Sequence, residues 1–170
     1  MVNWDNIVAQ HGPLVWRTAY RLVGCDADAA DCYQEAFAAA LLISRREPVR
    51  NWPALLKKLA TVHALDRLRR RLRDGARQGL PIDLDLVASA IVEPSQSAQE
   101  HELIEWLRGA LAELPESQAQ AFSFVCIGEL SYQEAAVQMN VEPNHVAVLL
   151  HRARSRLREL LTPTKETGIR

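Results

Sequence analysis

The chain has 170 residues, a formal net charge of −1 and 48% hydrophobic residues, enough for one domain or two small ones with packed cores. It contains no run of about 18 apolar residues, so no membrane insertion is expected. Its first ten residues lack the basic start and apolar run of a signal peptide. We therefore expect a cytoplasmic protein.

Residue spacing gives no sign of an enzyme or of a metalloprotein. The three cysteines form no CxxC pair, and the five histidines form no HExxH motif, so neither a zinc site nor a disulfide framework is predicted. No pairing of a nucleophile with a base and no phosphate-binding loop is visible either. We expect no catalysis, no cofactor and no bound metal.

Charge is distributed in blocks along the chain. Between Arg45 and Arg77, eleven basic and three acidic residues give a local net charge of +8. A second basic cluster comprises Arg152, Arg154, Arg156 and Arg158. Neither Gln78–Leu107 nor Gly109–His151 contains a lysine or arginine. The net charge alone does not suggest a protein that binds nucleic acid. The division into two basic blocks separated by acidic stretches is more informative.

The first half of the chain predicts three helices, because apolar residues recur three or four apart over 4–24, 27–44 and 52–73. Gly12-Pro13 predicts a break in the first helix. Asp26 or Asp28 is expected to cap the second helix. The arginines that end the third helix are expected to project on all sides of it.

The second half predicts a linker and four further helices. Glycine, proline and acidic residues over 75–98 indicate a linker, with a short helix at 84–91. The helices follow at 99–113, 116–127, 131–139 and from Pro143 to about Leu161. Gly128 is expected to cap the 116–127 helix. Ser131 and Glu134 form a capping box at the start of the next one.

The last two helices have the pattern of a helix-turn-helix, since about four residues join them and the second is basic at its end. A plain helical hairpin with a solvated, arginine-rich tail would give the same pattern. The predicted fold is all-α, with two small helical domains at 1–76 and 99–170 joined by an acidic linker at 77–98. The second domain carries the helix-turn-helix.

The 27–44 helix carries a polar patch beside an aromatic residue. Gln34 is three residues and Glu35 four residues from Asp31, so these three share one side, and they flank Phe37. Such a patch suits a helical partner that bears arginines. The alternative is that Phe37 belongs to the core and the acids are merely solvated.

The 52–73 helix combines aromatic and cationic side chains. They are Trp52, Lys57, Lys58, His63, Arg67, Arg70 and Arg71. Cations can hold phosphates, and an aromatic ring can stack on an unpaired base. Five arginines between positions 67 and 73 also repel one another unless a polyanion is near. For Trp52 alone, a role as a buried anchor is the alternative.

Two sets of motifs resemble the extracytoplasmic-function (ECF) sigma factors of RNA polymerase. Asp31–Phe37, Trp52–Ala60 and Leu65–Arg70 are similar to region 2 of that family. The motifs similar to region 4 are Leu114–Glu116, Leu130–Ala136 and His151–Leu157. The resemblance covers nearly the whole chain in the right order, which makes it specific. An unrelated helix-turn-helix repressor would have no need of the Asp31–Phe37 patch.

The resemblance implies a sigma factor that directs core RNA polymerase to promoter DNA. The first domain would dock on the polymerase clamp through Asp31, Gln34, Glu35 and Phe37. It would hold the melted strand through Trp52, Lys57, Lys58, His63, Arg67, Arg70 and Arg71. The second domain would contact the upstream duplex through Asn144, His145, Arg152 and Arg154. The family also makes an anti-sigma protein that clamps both domains a candidate partner.

Some positions depart from the family pattern. Val62 stands where the family usually has asparagine, and Ala30 where it has glutamate. His145–Leu149 replaces a start of the recognition helix that is usually Thr-Val-Lys-Ser-Arg. Ala147, Val148 and His151 should then form an exposed apolar face, which either binds a protein or packs on the first domain. These departures leave a second hypothesis, a sigma-like interaction protein without normal promoter readout.

Overall fold

A computed structural model describes residues 2–74, 90–91 and 98–161. Seven α-helices are defined within those ranges, and the fold is all-α as predicted. They are α1 (Trp4–Val23), α2 (Asp26–Arg46), α3 (Trp52–Asp74), α4 (Ala98–Glu113), α5 (Glu116–Phe122), α6 (Tyr132–Met139) and α7 (Pro143–Leu161). A π-helical turn, Ser123–Ile127, extends α5. None of the described helices is long and apolar enough to cross a membrane.

The first domain is a three-helix unit in which α1, α2 and α3 all pack against one another. One of its apolar clusters joins Ile7 and Val15 of α1 to Leu56 of α3. Ala36 and Ala40 of α2 belong to the same cluster. Because alanine side chains are short, α2 can approach its neighbours closely and hold its polar side at a fixed distance from α3.

The predicted break at Gly12-Pro13 is wrong, because α1 runs without interruption through Pro13. Proline removes one backbone hydrogen bond and its ring crowds the carbonyl of the residue four positions earlier. Packing of the buried residues on either side holds the helix together. Gly12 serves a different purpose. A Cβ atom at this position would lie 2.8 Å from the Tyr33 hydroxyl oxygen of α2, so the glycine makes room for that ring.

The start of α2 also differs from the prediction. Cys25 occupies the N-cap position and makes no side-chain capping hydrogen bond, while Asp26 and Asp28 lie in the first turn. Neither aspartate is therefore the cap. Their negative charge still suits the positive end of the helix dipole. The Asp28 carboxylate instead accepts a hydrogen bond from Arg71 of α3.

The second domain is built around the helix-turn-helix. At the start of α6, Ser131 Oγ accepts from the Glu134 N–H at 3.2 Å and Glu134 Oε2 accepts from the Ser131 N–H at 2.8 Å, so the capping box is confirmed. The hydrogen bonds from Ser131 lower the pKa of Glu134. Asn140, with φ 55°, then turns the chain, and α7 packs on α5 and α6.

Gly128 is the C-cap of the π-helical turn, as predicted, but it lacks the left-handed geometry that is usual for a glycine cap. Gly128 has φ −84°, and the left-handed residue is Glu129, with φ 55°. The Gly128 N–H donates to the Ser123 carbonyl at 2.8 Å. A Cβ atom here would lie 2.8 Å from the Phe124 carbonyl oxygen. Close approach of the backbone, rather than a positive φ, therefore requires this glycine.

The two domains share one apolar core. Leu65 and Leu68 of α3 lie in the same buried cluster as Leu107 and Leu111 of α4. Ile91, one of two described residues between positions 75 and 97, is helical and belongs to this cluster. The rest of the predicted linker and of the 84–91 helix lies outside the described residues, and the domain boundaries remain predictions.

Candidate functional site

The predicted polymerase-binding residues lie on the outer side of α2. Gln34 is exposed, and the side chains of Asp31 and Glu35 are 54% and 41% exposed. Phe37 is half-buried and packs on Tyr33, with 4.9 Å between ring centroids. The structure therefore presents three polar groups to solvent, while Phe37 contributes partly to the core beneath them.

A seam of ion pairs joins this patch to α3. Arg67 Nη2 lies 2.7 Å from Asp31 Oδ2 and 3.9 Å from Glu35 Oε1, and Arg67 Nε lies 3.7 Å from Asp28 Oδ1. His63 Nδ1 lies 3.2 Å from Glu35 Oε2. Two residues predicted to hold DNA thus contact two residues predicted to bind polymerase. In sequence the two sets lie on different helices and are predicted to bind different partners.

The electrostatics of the seam follow from burial and from the carboxylates. Burial opposes ionisation of Arg67, but Asp28, Asp31 and Glu35 outweigh that effect and raise the pKa of its guanidinium. Beneath the seam, burial raises the pKa of the Cys32 thiol to about 11. Cys32 is therefore a neutral apolar residue at pH 7. The charged groups of the seam lie above this buried thiol, nearer to solvent.

Arg71 stabilises the corner between α1 and α2. It donates to the Val23 carbonyl at 2.7 Å and also contacts Asp28 and the Cys25 sulfur. Arg67 and Arg71 thus do not project freely into solvent, whereas Arg70 and Arg73 are exposed. Acids of the chain itself reduce the mutual repulsion of Arg67 and Arg71.

The other predicted strand-binding residues differ in how accessible they are. Arg70 is exposed and Lys58 is half-buried. Trp52 is half-buried and packs edge-on against Trp4, with 5.2 Å between ring centroids. Lys57 reaches the second domain, where its ammonium donates to the Gly128 carbonyl at 2.9 Å. Burial lowers the pKa of Lys57.

The helix-turn-helix presents three of its four predicted contacts on one side of α7. Asn144, His145 and Arg152 are exposed, and positions 145 and 152 are two turns apart. Arg154 is half-buried, and its Nη2 lies 3.7 Å from the Cys126 sulfur. Arg154 therefore faces the interior of the second domain rather than the side of the other three.

The predicted apolar face of α7 is only partly apolar and is open to solvent. Val148 is 45% exposed, His151 is exposed and Ala147 is half-buried. Val148 borders a shallow groove together with Val141, Glu142 and His145. The alternative in which this face packs on the first domain is wrong.

Sequence reasoning missed the residues that join the two domains. Arg108 is 9% exposed; its Nε donates to the Leu22 carbonyl at 2.8 Å and its Nη2 to the Arg21 carbonyl at 3.0 Å. Nearby, Arg21 pairs with Glu129 at 3.7 Å. One signal was available: Arg108 is the single basic residue between Arg77 and Arg152, apart from His101, His145 and His151.

Family profiles match most of the chain. The profile described as Sigma-70 region 2 matches residues 7–74, which contain the seam and the α3 cations. The profile described as Sigma-70, region 4, matches residues 104–157, which contain the helix-turn-helix.

Characterised relatives agree with these matches. The ECF RNA polymerase sigma factor SigE of Mycolicibacterium smegmatis is 34% identical over 161 residues, covering 95% of this chain and 62% of its own length. The corresponding factor SigW of Bacillus subtilis is 26% identical, with 92% of this chain and 87% of SigW covered. The chain thus spans less than two thirds of the mycobacterial relative and most of the Bacillus one.

The fold is also similar to that of a solved structure. The sigma factor RpoE of Bartonella quintana, solved in complex with the anti-sigma factor NepR, aligns with a TM-score of 0.54 and 19% identity. The alignment covers 93% of this chain and 96% of RpoE. The ECF RNA polymerase sigma factor SigM of Bacillus subtilis is 30% identical over 136 residues, which cover 78% of this chain and 78% of SigM. This identity and both regional matches show that the chain belongs to the ECF family of RNA polymerase sigma factors.

Proposed function

We propose that this protein binds core RNA polymerase and directs it to specific promoters. The first domain (1–76) would bind polymerase and the melted strand, and the second (99–170) would bind the upstream duplex. In this proposal the polymerase performs the chemistry, and the protein acts in the cytoplasm as a binding factor rather than as an enzyme. The observation that carries the proposal is the exposed acid–amide patch of α2, held in place by α3.

The α2 patch suits a polymerase surface that bears arginines. Asp31 and Glu35 are ion-paired on one side by Arg67 yet remain 54% and 41% exposed. Each carboxylate therefore has accepting capacity left for a partner. Gln34 adds both a donor and an acceptor on the same side. Because Arg67 fixes the carboxylates before binding, less side-chain freedom is lost when a partner docks.

Capture of the melted strand would depend first on the accessible cations of α3. Arg70 and Lys58 have no contact with α2 carboxylates among the described interactions, so they are the most direct candidates for phosphate contacts. Trp52, His63, Arg67, Arg71 and Lys57 remain proposed members of the site. Their internal contacts mean that they would have to exchange partners, or act by positioning α3.

The helix-turn-helix would contact duplex DNA through Asn144, His145 and Arg152. These side chains share one exposed side of α7, where the start of the helix can approach base edges and Arg152 a phosphate. The hypothesis of a sigma-like protein without promoter readout is not favoured, because region 4 matches over the whole helix-turn-helix. Ala147 in place of a basic residue would change the preferred sequence.

An anti-sigma protein is a further proposed partner. RpoE of Bartonella quintana, whose fold this chain shares, was solved with such a protein bound. A clamp on both domains would compete with polymerase for the α2 patch.

Binding to purified core polymerase tests the first step. Replacing the exposed Gln34 by arginine places a cation in the patch without removing a seam residue. We expect Gln34→Arg to weaken binding about ten-fold, equivalent to about 1.4 kcal/mol. The matched control is Gln133→Arg on exposed α6, which makes the same change of charge and should bind normally. Equal affinities for the two variants, or no binding by the unmodified protein, would contradict the proposal.

A further inference from the structure

An open groove with a volume of about 870 Å³ runs along one side of α1. Its residues on α1 recur every four positions and therefore share one side of the helix: Val8, Gly12, Trp16 and Tyr20. Residues of α2 and α4 also line the groove. The volume lies within the range of about 300–1,000 Å³ that sites for small molecules occupy. None of the described lining residues belongs to the proposed polymerase or DNA sites.

Three aromatic rings form an apolar wall of this groove. The Trp16 and Tyr20 rings stack with 6.4 Å between their centroids and 18° between their planes. Tyr33 of α2 meets Trp16 edge-on, also at 6.4 Å, in the space that Gly12 leaves open. Because these contacts hold the rings before any ligand binds, little side-chain freedom would be lost on binding.

The charges around the groove favour an anion. Its described lining residues include three arginines and no aspartate or glutamate. Two of these arginines are partly neutralised, because Arg21 pairs with Glu129 and Arg108 with Glu105. Arg17 is exposed and pairs with no acid among the described interactions. Its guanidinium therefore has donors left for a carboxylate or a similar group of a ligand.

The exposed apolar surface suits a small molecule better than a second protein. Trp16 is 37% and Tyr20 41% exposed, and an aromatic side chain has roughly 150–250 Å² of surface, so each ring offers about 100 Å². Each partner in a stable protein interface buries about 800 Å². The aromatic wall is too small for such an interface by itself, but it can cover one face of a planar ligand.

We propose that this groove binds an organic anion that has a planar aromatic body and one acidic group. The body stacks on the rings of Trp16 and Tyr20, and the acidic group accepts hydrogen bonds from Arg17. This inference does not depend on the proposed function, since the groove shares no described residue with the polymerase or DNA sites.

The fluorescent dye anilinonaphthalene sulfonate is a suitable probe, because it combines planar aromatic rings with one anionic group. We expect the folded protein to bind a single molecule of the dye saturably. Binding should also raise the melting temperature, since a ligand that binds only the folded state stabilises that state. Absence of saturable binding would overturn the inference, and so would a fall in the melting temperature, which would show that the dye prefers unfolded chains.

The aromatic wall is tested by Tyr20→Ala, which should weaken binding of the dye roughly five-fold. The matched control is Tyr132→Ala on α6, because this ring is 44% exposed and does not line the groove. The control should bind the dye as the wild-type protein does. Equal affinities for the two variants would place the dye elsewhere on the protein.

The anionic group is tested by Arg17→Glu, with Arg50→Glu as an exposed control that makes the same change of charge. Arg17→Glu should weaken binding of the sulfonate roughly ten-fold, because repulsion replaces a charge-assisted hydrogen bond. It should change binding of the uncharged analogue phenylnaphthylamine less than about two-fold, since no charged partner is lost. An equal effect on both dyes would refute the role of Arg17.

Sedimentation of the protein without dye tests the other possible occupant, a second copy of the chain. We expect a monomer at the concentrations used for the dye titration. A dimer that dissociates in Tyr20→Ala but not in Tyr132→Ala would show that the groove is a surface for self-association, and would overturn the proposal of a small-molecule site. Assays with polymerase test the proposed function separately from all of these outcomes.

Discussion

Arginines that look equivalent in sequence have different tasks in the structure. Arg70 and Arg71 are neighbours on α3, yet Arg70 is exposed and Arg71 is held by Val23, Cys25 and Asp28. Only side chains without such internal contacts are free to exchange water for phosphate at little cost. The two residues therefore form a natural pair for comparison.

We predict that Arg70→Ala and Arg71→Ala affect different properties. Arg70→Ala should reduce the slope of single-strand affinity against salt concentration by about one, because one phosphate contact is lost. Arg71→Ala should instead lower the free energy of unfolding by about 1–3 kcal/mol, since the Val23 carbonyl and the Asp28 carboxylate lose their donor. Oligonucleotide titrations and urea denaturation measure the two effects. A loss of stability in Arg70→Ala as large as that in Arg71→Ala would refute the assignment.

The buried thiol of Cys32 predicts a dependence of stability on alkaline pH. Burial raises its pKa from 9.0 to about 11, so the folded state keeps the proton that the unfolded state loses. This contribution is complete below pH 9 and is lost as the pH rises towards 11, with a total of about 3 kcal/mol at most. Urea denaturation at several pH values measures it.

Cys32→Ala provides the control for this titration, because it removes the thiol and keeps a small apolar side chain. The variant should lose less stability than the wild-type protein between pH 9 and pH 11. Identical pH profiles for both proteins would show that another group causes the decline.

The helices themselves were largely predictable from local signals. Apolar spacing predicted α1 to α7 to within a few residues, and the Ser131–Glu134 capping box was identified from four letters of sequence. The error at Gly12-Pro13 occurred where a tertiary contact decides. Gly12 faces Tyr33 of another helix, and periodicity contains no information on such an approach. Gly128 ends its helix as predicted, but the sequence did not reveal the π-helical turn that brings the Phe124 carbonyl close to it.

The capping box at the start of α6 predicts a measurable contribution to the second domain. Ser131→Ala removes an acceptor for the Glu134 N–H and should lower the free energy of unfolding by about 1 kcal/mol. Tyr132→Ala, one position along and 44% exposed, should cost less. Thermal denaturation followed by circular dichroism compares the two. A larger loss for Tyr132→Ala would mean that the tyrosine, rather than the box, fixes the start of α6.

The seam between α2 and α3 shows why the candidate site was only partly predictable. Residue spacing predicted that Asp31, Gln34 and Glu35 lie on one side of α2, and they do so in the structure. The sequence could not show that Arg67 and His63 face the same carboxylates, because that depends on the angle and register between two helices. The combination of the two sets into one seam is therefore a structural result.

One buried apolar cluster joins the two halves of the molecule, although these halves match two separate regions of the family. Leu65 of α3 and Leu107 of α4 belong to the same buried cluster. In the sequence, Arg108 stands out only as an isolated cation in an acidic stretch. Its role could not be predicted, because its acceptors are backbone carbonyls of the other domain.

A shared core predicts that both domains unfold together. Leu107→Ala should lower stability by about 2–5 kcal/mol, because it leaves a cavity between the domains. The matched control is Val137→Ala, since this side chain is 77% exposed and should contribute little. Differential scanning calorimetry should show a single transition that moves to lower temperature only in Leu107→Ala. Two separate transitions in the wild-type protein would contradict a shared core.

Run-off transcription is the measurement that tests the central claim most directly. Purified core polymerase, the protein and a library of genomic promoter fragments are combined, and the start sites are mapped. We predict discrete start sites that disappear when the protein is omitted and weaken with Gln34→Arg. Binding to core polymerase without any start sites would contradict the assignment as a promoter-directing sigma factor.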